Sequence, residues 1–385
     1  MPSIVLCLHA HLPLRLKKYG FFDIGHSADY FDAEQSRRVL ERSVKDSYLP
    51  ANEAMLKLIR RHRGGFRVSC SISGMLLEQL EAGQKAMLDS FRRLADTGCV
   101  EFLCGPWYHS LASVFSEEEF RKQIILHKRK IRALFGQMPR AFRNTELLYG
   151  NDVARIAESM GFRVILAGGA GRIPGCETEV LHRPAGCRRI QVLFRNDRLS
   201  DEVVPRPLGA DEIIRVWIDG HRGDEVINLF INYEAFIGCG GMTDFLGTLA
   251  GVLRKQRNVR FSTPSEAAAE HEPAGQIDAS DLVFHAGPER EGSAWLGNHM
   301  QIDAARTLYR LEDRVRATKS RKWIGVWRNL QASDYFLDMR TEERLDRTVH
   351  RVVSSFESPY DAYIYYMSIL RDFSGRIAGK VGVRP

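Results

Sequence analysis

Short apolar runs rich in β-forming residues alternate with longer helical patterns from the start of the chain to about residue 270. Such alternation is typical of βα units, in which helices cover a parallel sheet that is open or closed into a barrel. The helical patterns include Met75–Asp96, Glu117–Phe135, Asp152–Met160 and Asp211–Ile218. About seven candidate strands with long crossovers predict a β/α barrel, or an incomplete one. The strands are Ile4–Leu8, Phe66–Ile72, Val100–Cys104, Ala141–Arg143, Val164–Ala167, Ile190–Arg195 and Val226–Tyr233.

The pattern changes after about residue 288, where helical periodicity replaces the strand signals. Ser358 followed by Pro359 pairs an N-cap residue with a proline in the first turn, as many helix starts do. The sequence therefore predicts an α/β barrel domain over residues 1–287 and a C-terminal helical bundle over residues 288–385 that closes the cleft. The predicted helices are Ala294–Ala317, Trp323–Phe336, Glu342–Ser354 and Tyr360–Phe373.

Charge and cysteine usage exclude several classes of protein. The formal charge of +7 comes mainly from arginines in scattered short pairs, whereas nucleic-acid surfaces concentrate basic residues and interleave aromatics. The seven cysteines contain no Cys-x-x-Cys, which argues against a disulfide framework and a thiolate zinc site. The N-terminus has no basic leader, and no run approaches the roughly 20 apolar residues of a membrane span. We expect a reduced, cytoplasmic protein without nucleic-acid or membrane partners; the oligomeric state is not predicted.

Polar side chains follow five of the predicted strands at the point where each strand ends. In a βα barrel the active-site groups lie at this C-terminal edge, so we expect the five clusters to line one polar pocket. The clusters are His9-Ala10-His11, Trp107-Tyr108-His109-Ser110, Arg143-Asn144-Thr145-Glu146, Arg195-Asn196-Asp197-Arg198 and Asn232-Tyr233-Glu234.

The pair His9-x-His11 permits a metal-dependent hydrolase, because a His-x-His pair after the first strand opens many such barrels. That chemistry needs further ligands from later strand ends. Strands five and six run into Ala167-Gly168-Gly169 and Arg195-Asn196, which offer no imidazole.

Sugar chemistry is the other interpretation of the pocket. A retaining glycosidase needs one carboxylate as nucleophile and a second carboxyl as acid/base, about 5–5.5 Å apart. Glu146, directly after a strand and framed by Arg143 and Asn144, is a nucleophile candidate, with an Arg–Glu ion pair as its structural alternative. Trp107 and Tyr108 would stack on pyranose faces.

The clusters, taken in order, resemble glycoside hydrolase family 57 in its α-amylase-like branch, over nearly the whole chain. The resemblance implies an incomplete, TIM-like (β/α)7 barrel followed by a helical bundle. It implies retaining hydrolysis or transfer of α-glucan or a related oligosaccharide, without a cofactor. It implies Glu146 as nucleophile and sugar contacts from His11, Trp107, His109, Arg143, Trp295 and Asp361. The motifs that carry it are His11-Leu12-Pro13, residues 100–111, Phe142–Leu147, Leu229–Glu234, Ser293–Asn298 and Ser358–Tyr363.

The chain departs from the family pattern at its acid/base position, where Asn232 replaces an aspartate. An amide neither donates a proton to a glycosidic oxygen nor takes one from water, and such catalysis is worth about 10²–10⁴-fold. Leu12 replaces a glutamine, Gly168 a glutamate and Gly287 an aspartate, and the family's Gly-Glu-His after Glu234 is missing. These losses predict an α-glucan-binding homologue with impaired catalysis.

Alternatives stay open. Glu234 lies two residues after Asn232, so both side chains would face the same side of a strand, and Glu234 would replace the acid/base of an active hydrolase or 4-α-glucanotransferase. A changed chemistry would use His9, His11 and His109. The residues expected to bind sugar also have structural explanations, as core residues or, for Asp361, as a partner of the helix dipole.

Overall fold

The computed structural model describes residues 1–203, 209–220, 223, 225–236, 241–255, 259–284, 294–341 and 356–381. Its internal contacts divide the chain into two compact units. The barrel unit consists of Met1–His11, Glu41–Pro106 and Arg121–His285. The helical unit consists of Leu12–Leu40, Trp107–Phe120 and Ala286–Pro385. The boundary predicted between residues 287 and 288 lies outside the described residues.

Seven parallel strands of the barrel unit, β1 to β7, match the seven predicted from the sequence. Their neighbours in space are their neighbours in the chain: β1 pairs with β2, β2 with β3, β4 with β5 and β5 with β6. A parallel bridge between Cys104 and Phe142 joins β3 to β4, and β7 returns to pair with β1. The strands are Ser3–Ala10, Val68–Ile72, Val100–Leu103, Ala141–Arg143, Val164–Ala167, Gln191–Phe194 and Val226–Asn232.

Individual hydrogen bonds join β6 to β7 just beyond the end of β6. The Asn196 backbone N–H donates to the Asn228 carbonyl at 2.9 Å, and the Arg195 Nε–H donates to the Phe230 carbonyl at 3.1 Å. Asp197 and Asp201 hold the other two guanidinium nitrogens of Arg195. These bonds join β6 to β7, and β7 in turn pairs with β1.

The barrel core follows from strand periodicity. All eight residues of β1 are buried, as expected for a strand covered on both faces. Alternate side chains point inward, so Val5 and Cys7 of β1 meet Val226 and Phe230 of β7 in one apolar cluster. The same alternation places the side chain of Asn232 on the inward face, at the C-terminal end of β7.

Helices precede and follow these strands along the chain. The predicted stretch Met75–Asp96 forms two helices that meet at Gln84. The chain also forms Ala33–Ser43, the π-helical turn Val44–Tyr48, and Glu117–Phe135. None of the helices among the described residues has the length and hydropathy that crossing a bilayer requires. The α-helices that lie wholly within the barrel unit are Leu49–Arg61, Gly74–Gly83, Lys85–Ala95, Asn151–Ser159, Asp197–Val203, Ala210–Gly220, Gly241–Lys255 and Pro264–Glu270.

Short strands complete the barrel unit and the helical unit. In the barrel unit Leu181–Pro184 runs antiparallel to β6, Gly275–Ile277 pairs with Leu181–Pro184, and Arg260–Phe261 pairs with β1. In the helical unit Arg15–Leu16 pairs with Phe31–Asp32.

The helical unit partly follows the predicted pattern. The predicted helices Ala294–Ala317 and Trp323–Phe336 are each two shorter helices, whereas Glu342–Ser354 lies outside the described residues. The last helix begins at Pro359, and the Asp361 N–H donates to the Ser358 Oγ at 3.1 Å, so the predicted N-cap is confirmed. The helices are Ala112–Phe115, His299–Tyr309, Glu312–Ala317, Arg321–Asn329, Ser333–Leu337 and Pro359–Val381.

A buried carboxylate anchors the segment Trp107–Phe120 within the helical unit. The side chain of Glu119 is fully buried, and its two oxygens accept hydrogen bonds from Arg328 at 2.7 and 3.0 Å and from Arg316 at 2.9 Å. Arg316 also binds Glu312 at 2.6 Å. Burial of a charge requires such paired, hydrogen-bonded partners.

Candidate active site

The carboxyl end of β4 carries the predicted nucleophile. Glu146 lies in the 3-10 turn Thr145–Leu147 with a left-handed backbone, φ 52° and ψ 30°, and Leu147 also has a positive φ. The buried side chain of Asn144 holds the turn: its Oδ1 accepts from the Thr145 N–H at 2.9 Å and its Nδ2 donates to the Leu148 carbonyl at 3.1 Å. A non-glycine residue in this conformation costs about 1–3 kcal/mol and is common at functional sites. The strain therefore supports a functional position for Glu146, which is half-buried.

Phe230 of β7 brings two predicted site residues together. The Arg143 guanidinium, at the end of β4, lies over the Phe230 ring at 5.3 Å. The His9 ring, near the end of β1, is 5.8 Å from the same ring. Arg143 and His9 are both buried, at 4% exposure. The aromatic ring thus spaces a cation and an imidazole along the inner wall of the barrel.

Asn232 is the last residue of β7, and in the strand register it lies opposite His9. His9 is also in register with Ser71 of β2, whose carbonyl and hydroxyl oxygens lie 3.0 and 3.1 Å from the His9 Nδ1. Asn232 is half-buried. The position where the resemblance expects the acid/base thus lies beside an oriented imidazole and presents an amide.

The interpretation of Glu234 as a strand residue is wrong. Strand β7 ends at Asn232, and Tyr233–Phe236 forms a 3-10 helix, so the two-residue alternation does not relate Glu234 to Asn232. Instead the Glu234 Oε1 accepts hydrogen bonds from the Tyr48 hydroxyl and, at 3.4 Å, from the His11 backbone N–H. Burial raises the pKa of the Glu234 carboxyl to about 7, although the Tyr48 hydrogen bond and the nearby His11 lower it. Such a carboxyl exchanges protons near neutral pH.

Serine side chains contact both histidines of the His9-x-His11 pair, of which His9 lies in β1 and His11 just after it. The His11 Nδ1 lies 2.7 Å from the Ser73 Oγ, as the His9 Nδ1 lies by Ser71. The two imidazole rings are stacked, with centroids 6.3 Å apart. These contacts fix the ring orientations, and the metal-dependent chemistry considered for His9 and His11 stays a prediction.

His109, a predicted sugar contact in the helical unit, is held by contacts with Ser333 and Asp334. Its backbone φ is 51°, its carbonyl accepts the Ser333 N–H at 2.9 Å, and its Nδ1 lies 2.9 Å from the Ser333 Oγ. The Asp334 carboxylate lies 3.8 Å from the same nitrogen. Sequence reasoning missed Ser333 and Asp334, because neither follows a strand and only their position at the start of a short helix distinguishes them.

The remaining predicted sugar contacts are Trp107, Trp295 and Asp361, and their burial or hydrogen bonds are those of packing and capping residues. Trp107 and Trp295 are 9% and 6% exposed, so little of either ring faces outward. The Ser358 Oγ accepts from the Asp361 N–H at 3.1 Å, as an N-cap residue does, and donates to the Asp361 carboxylate at 2.8 Å. These contacts agree with packing and capping roles, and sugar binding by the three side chains stays a prediction.

The sequence is similar to a family model and to a named relative. The family model described as Glycosyl hydrolase family 57 matches residues 5–280. A protein of Methanocaldococcus jannaschii, provisionally named an alpha-amylase, is 32% identical over 401 aligned positions, which cover 96% of this chain and 84% of that protein.

Two solved structures share the fold. A family 57 branching enzyme from Thermococcus kodakaraensis, whose structure contains glucose, has a TM-score of 0.70 and 15% identity, over 98% of this chain and 90% of that one. The 4-alpha-glucanotransferase of Thermococcus litoralis has a TM-score of 0.66 and 16% identity over 87% of this chain. The chain spans 55% of that enzyme's length. The predicted incomplete barrel with a C-terminal helical part is confirmed.

Proposed function

The chain belongs to glycosyl hydrolase family 57, and from that premise we propose that it binds α-linked glucan at the C-terminal end of its barrel with impaired catalysis. Glu146 is the nucleophile of this proposal, and His11 and Arg143 position the sugar. The α-glucan part draws on what the similar proteins are named for and on the sequence resemblance.

Asn232 is the observation that carries the proposed impairment. In a retaining mechanism the carboxylate attacks the anomeric carbon while a second carboxyl protonates the departing glycosidic oxygen. The carboxyl then takes a proton from the water that cleaves the glycosyl ester. The inward-facing amide of Asn232 performs neither transfer, so the first bond cleavage lacks its proton and the ester lacks its base.

The test compares maltoheptaose turnover and binding in four proteins: wild type, Asn232→Asp, Glu146→Gln and the double variant. We expect calorimetry to detect binding by the wild type and chromatography to detect little product. Asn232→Asp should raise turnover by about 10²–10⁴-fold, and adding Glu146→Gln should abolish the gain. Absence of binding would contradict the glucan proposal. Full wild-type turnover, or an Asn232→Asp variant no faster than wild type, would contradict the assigned role of Asn232.

An active retaining enzyme with Glu234 as displaced acid/base is the second candidate. The burial of this carboxyl favours it, because burial raises the pKa of Glu234 to about 7, a value that suits a group that must give and take protons at neutral pH. In that case wild type cleaves or transfers maltoheptaose, and Glu234→Gln lowers the rate by about 10²-fold or more. A Glu234→Gln variant as active as wild type would exclude it.

A further inference from the structure

The π-helical turn Val44–Tyr48 and the 3-10 helix Tyr233–Phe236 form one joint in the barrel unit. The Ser47 hydroxyl donates to the Tyr233 carbonyl at 2.6 Å, and the Tyr48 hydroxyl donates to the Glu234 Oε1. Consecutive residues of an α-helix point in different directions. The π-turn nevertheless brings two consecutive side chains to the same neighbouring turn, and such turns are frequent at functional sites.

The tyrosine in this joint has little freedom to move. Tyr48 is fully buried, and its ring meets the Tyr233 ring edge-on, with centroids 5.3 Å apart. The Tyr233 hydroxyl in turn donates to the Asn52 Oδ1 at 2.8 Å. Packing of the ring thus restricts the position of the Tyr48 hydroxyl.

The joint fixes one oxygen of Glu234. Tyr48 and the His11 N–H both donate to Oε1, and the backbone N–H of Glu234 itself also acts on the carboxylate. The His11 N–H belongs to the residue just after β1, next to the strand that carries His9. Glu234 therefore links the end of β7 to the end of β1, the two strands on which His9 and Asn232 lie in register.

We propose that Tyr48 is the positioning residue for Glu234: its hydroxyl holds Oε1, directs Oε2 toward the ligand and favours the ionised carboxylate. The ligand part of this proposal rests on the proposed function. Burial raises the pKa of Glu234, whereas the Tyr48 hydroxyl, the backbone N–H of Glu234 itself and His11 lower it. Without the hydrogen bond from Tyr48, the effect of burial raises the pKa of Glu234 further, so the carboxyl keeps its proton to higher pH.

The test follows the Glu234 carboxyl carbon by ¹³C NMR from pH 5 to pH 9 in protein labelled at glutamate, with Glu234→Gln to assign the signal. We expect Tyr48→Phe to raise the pKa of Glu234 by about one pH unit, because one hydrogen bond to the charged form is lost. Tyr233→Phe is the matched control, since it removes a buried tyrosine hydroxyl from the same joint that binds Asn52 and not Glu234. An unchanged titration in Tyr48→Phe, or equal shifts in both variants, would overturn the proposal.

A second measurement keeps the native side chain, in case Tyr48→Phe does not fold. In protein labelled with 3-fluorotyrosine, one ¹⁹F signal should titrate with a midpoint near that of Glu234 and lose this pH dependence in Glu234→Gln. If no tyrosine signal behaves so, Tyr48 does not sense the carboxyl and the proposal fails.

Maltoheptaose binding supplies the sugar readout. The midpoint of the pH dependence of maltoheptaose affinity should shift in Tyr48→Phe by as much as the pKa of Glu234 shifts. It should not shift in Tyr233→Phe. If the wild type does not bind maltoheptaose, the result contradicts the proposed function alone, because both NMR titrations are recorded on protein without sugar. A moved titration with an unmoved binding midpoint would refute the ligand part of the Tyr48 proposal.

Discussion

Substituting Glu119 by glutamine tests whether a buried carboxylate fixes the segment that carries Trp107 and His109. The change keeps the shape of the side chain and removes its charge. Of the two oxygens that accept from Arg328, one becomes an amide nitrogen and the other loses its charge, and among the described residues Arg328 has no other ion-pair partner. Arg316 loses one partner and keeps Glu312 at 2.6 Å.

The structure sets the size of the expected effect. Removing one member of a buried ion pair costs about 3–5 kcal/mol, because the remaining charge stays uncompensated. The two arginines keep some contact with water, at 15% and 22% side-chain exposure, and Arg316 keeps a partner. We therefore expect Glu119→Gln to lower the free energy of unfolding of the helical unit by about 2–3 kcal/mol.

Glu118 provides the matched control. It precedes Glu119 and contacts Arg316 at 3.8 Å, but its side chain is 66% exposed. Glu118→Gln should change the free energy of unfolding by less than about 0.5 kcal/mol, as surface pairs do. Urea denaturation followed by tryptophan fluorescence measures both, because Trp327 is buried in the same unit beside Arg316. Equal effects of the two substitutions would refute the reasoning.

Two further predictions concern the last helix and the strained turn. Burial would raise the pKa of Asp372, but hydrogen bonds from Arg376, Tyr30 and Gly25 hold it below its usual value. Its contribution to stability is therefore full above the unfolded pKa of about 3.9 and is lost as pH falls through the lower folded value. Asp372→Asn should flatten the acid side of the stability profile, and an unchanged slope would contradict this. Glu146→Gly should raise the free energy of unfolding by about 1 kcal/mol over Glu146→Ala, since glycine adopts a positive φ without strain. Thermal denaturation distinguishes the two variants, and equal stabilities would show that the turn is unstrained.

The amino-acid sequence determined the elements whose causes are local. Alternating apolar runs predicted β1 to β7, and the N-cap at Ser358 predicted the start of the last helix, because periodicity and capping act within a few residues. Glu146 could be located after a strand for the same reason. Its left-handed backbone could not, since it depends on how Asn144 closes the turn.

Tertiary structure decided the contacts between distant segments. The hydrogen bond between Tyr48 and Glu234 joins residues that lie 186 positions apart in the chain. The pairing of Glu119 with Arg316 and Arg328 spans 197 and 209 residues. No local pattern encodes such pairs, because burial and charge compensation arise only when packing brings the segments together. For the same reason the segment with Trp107 and His109, which follows a barrel strand in the chain, packs in the helical unit.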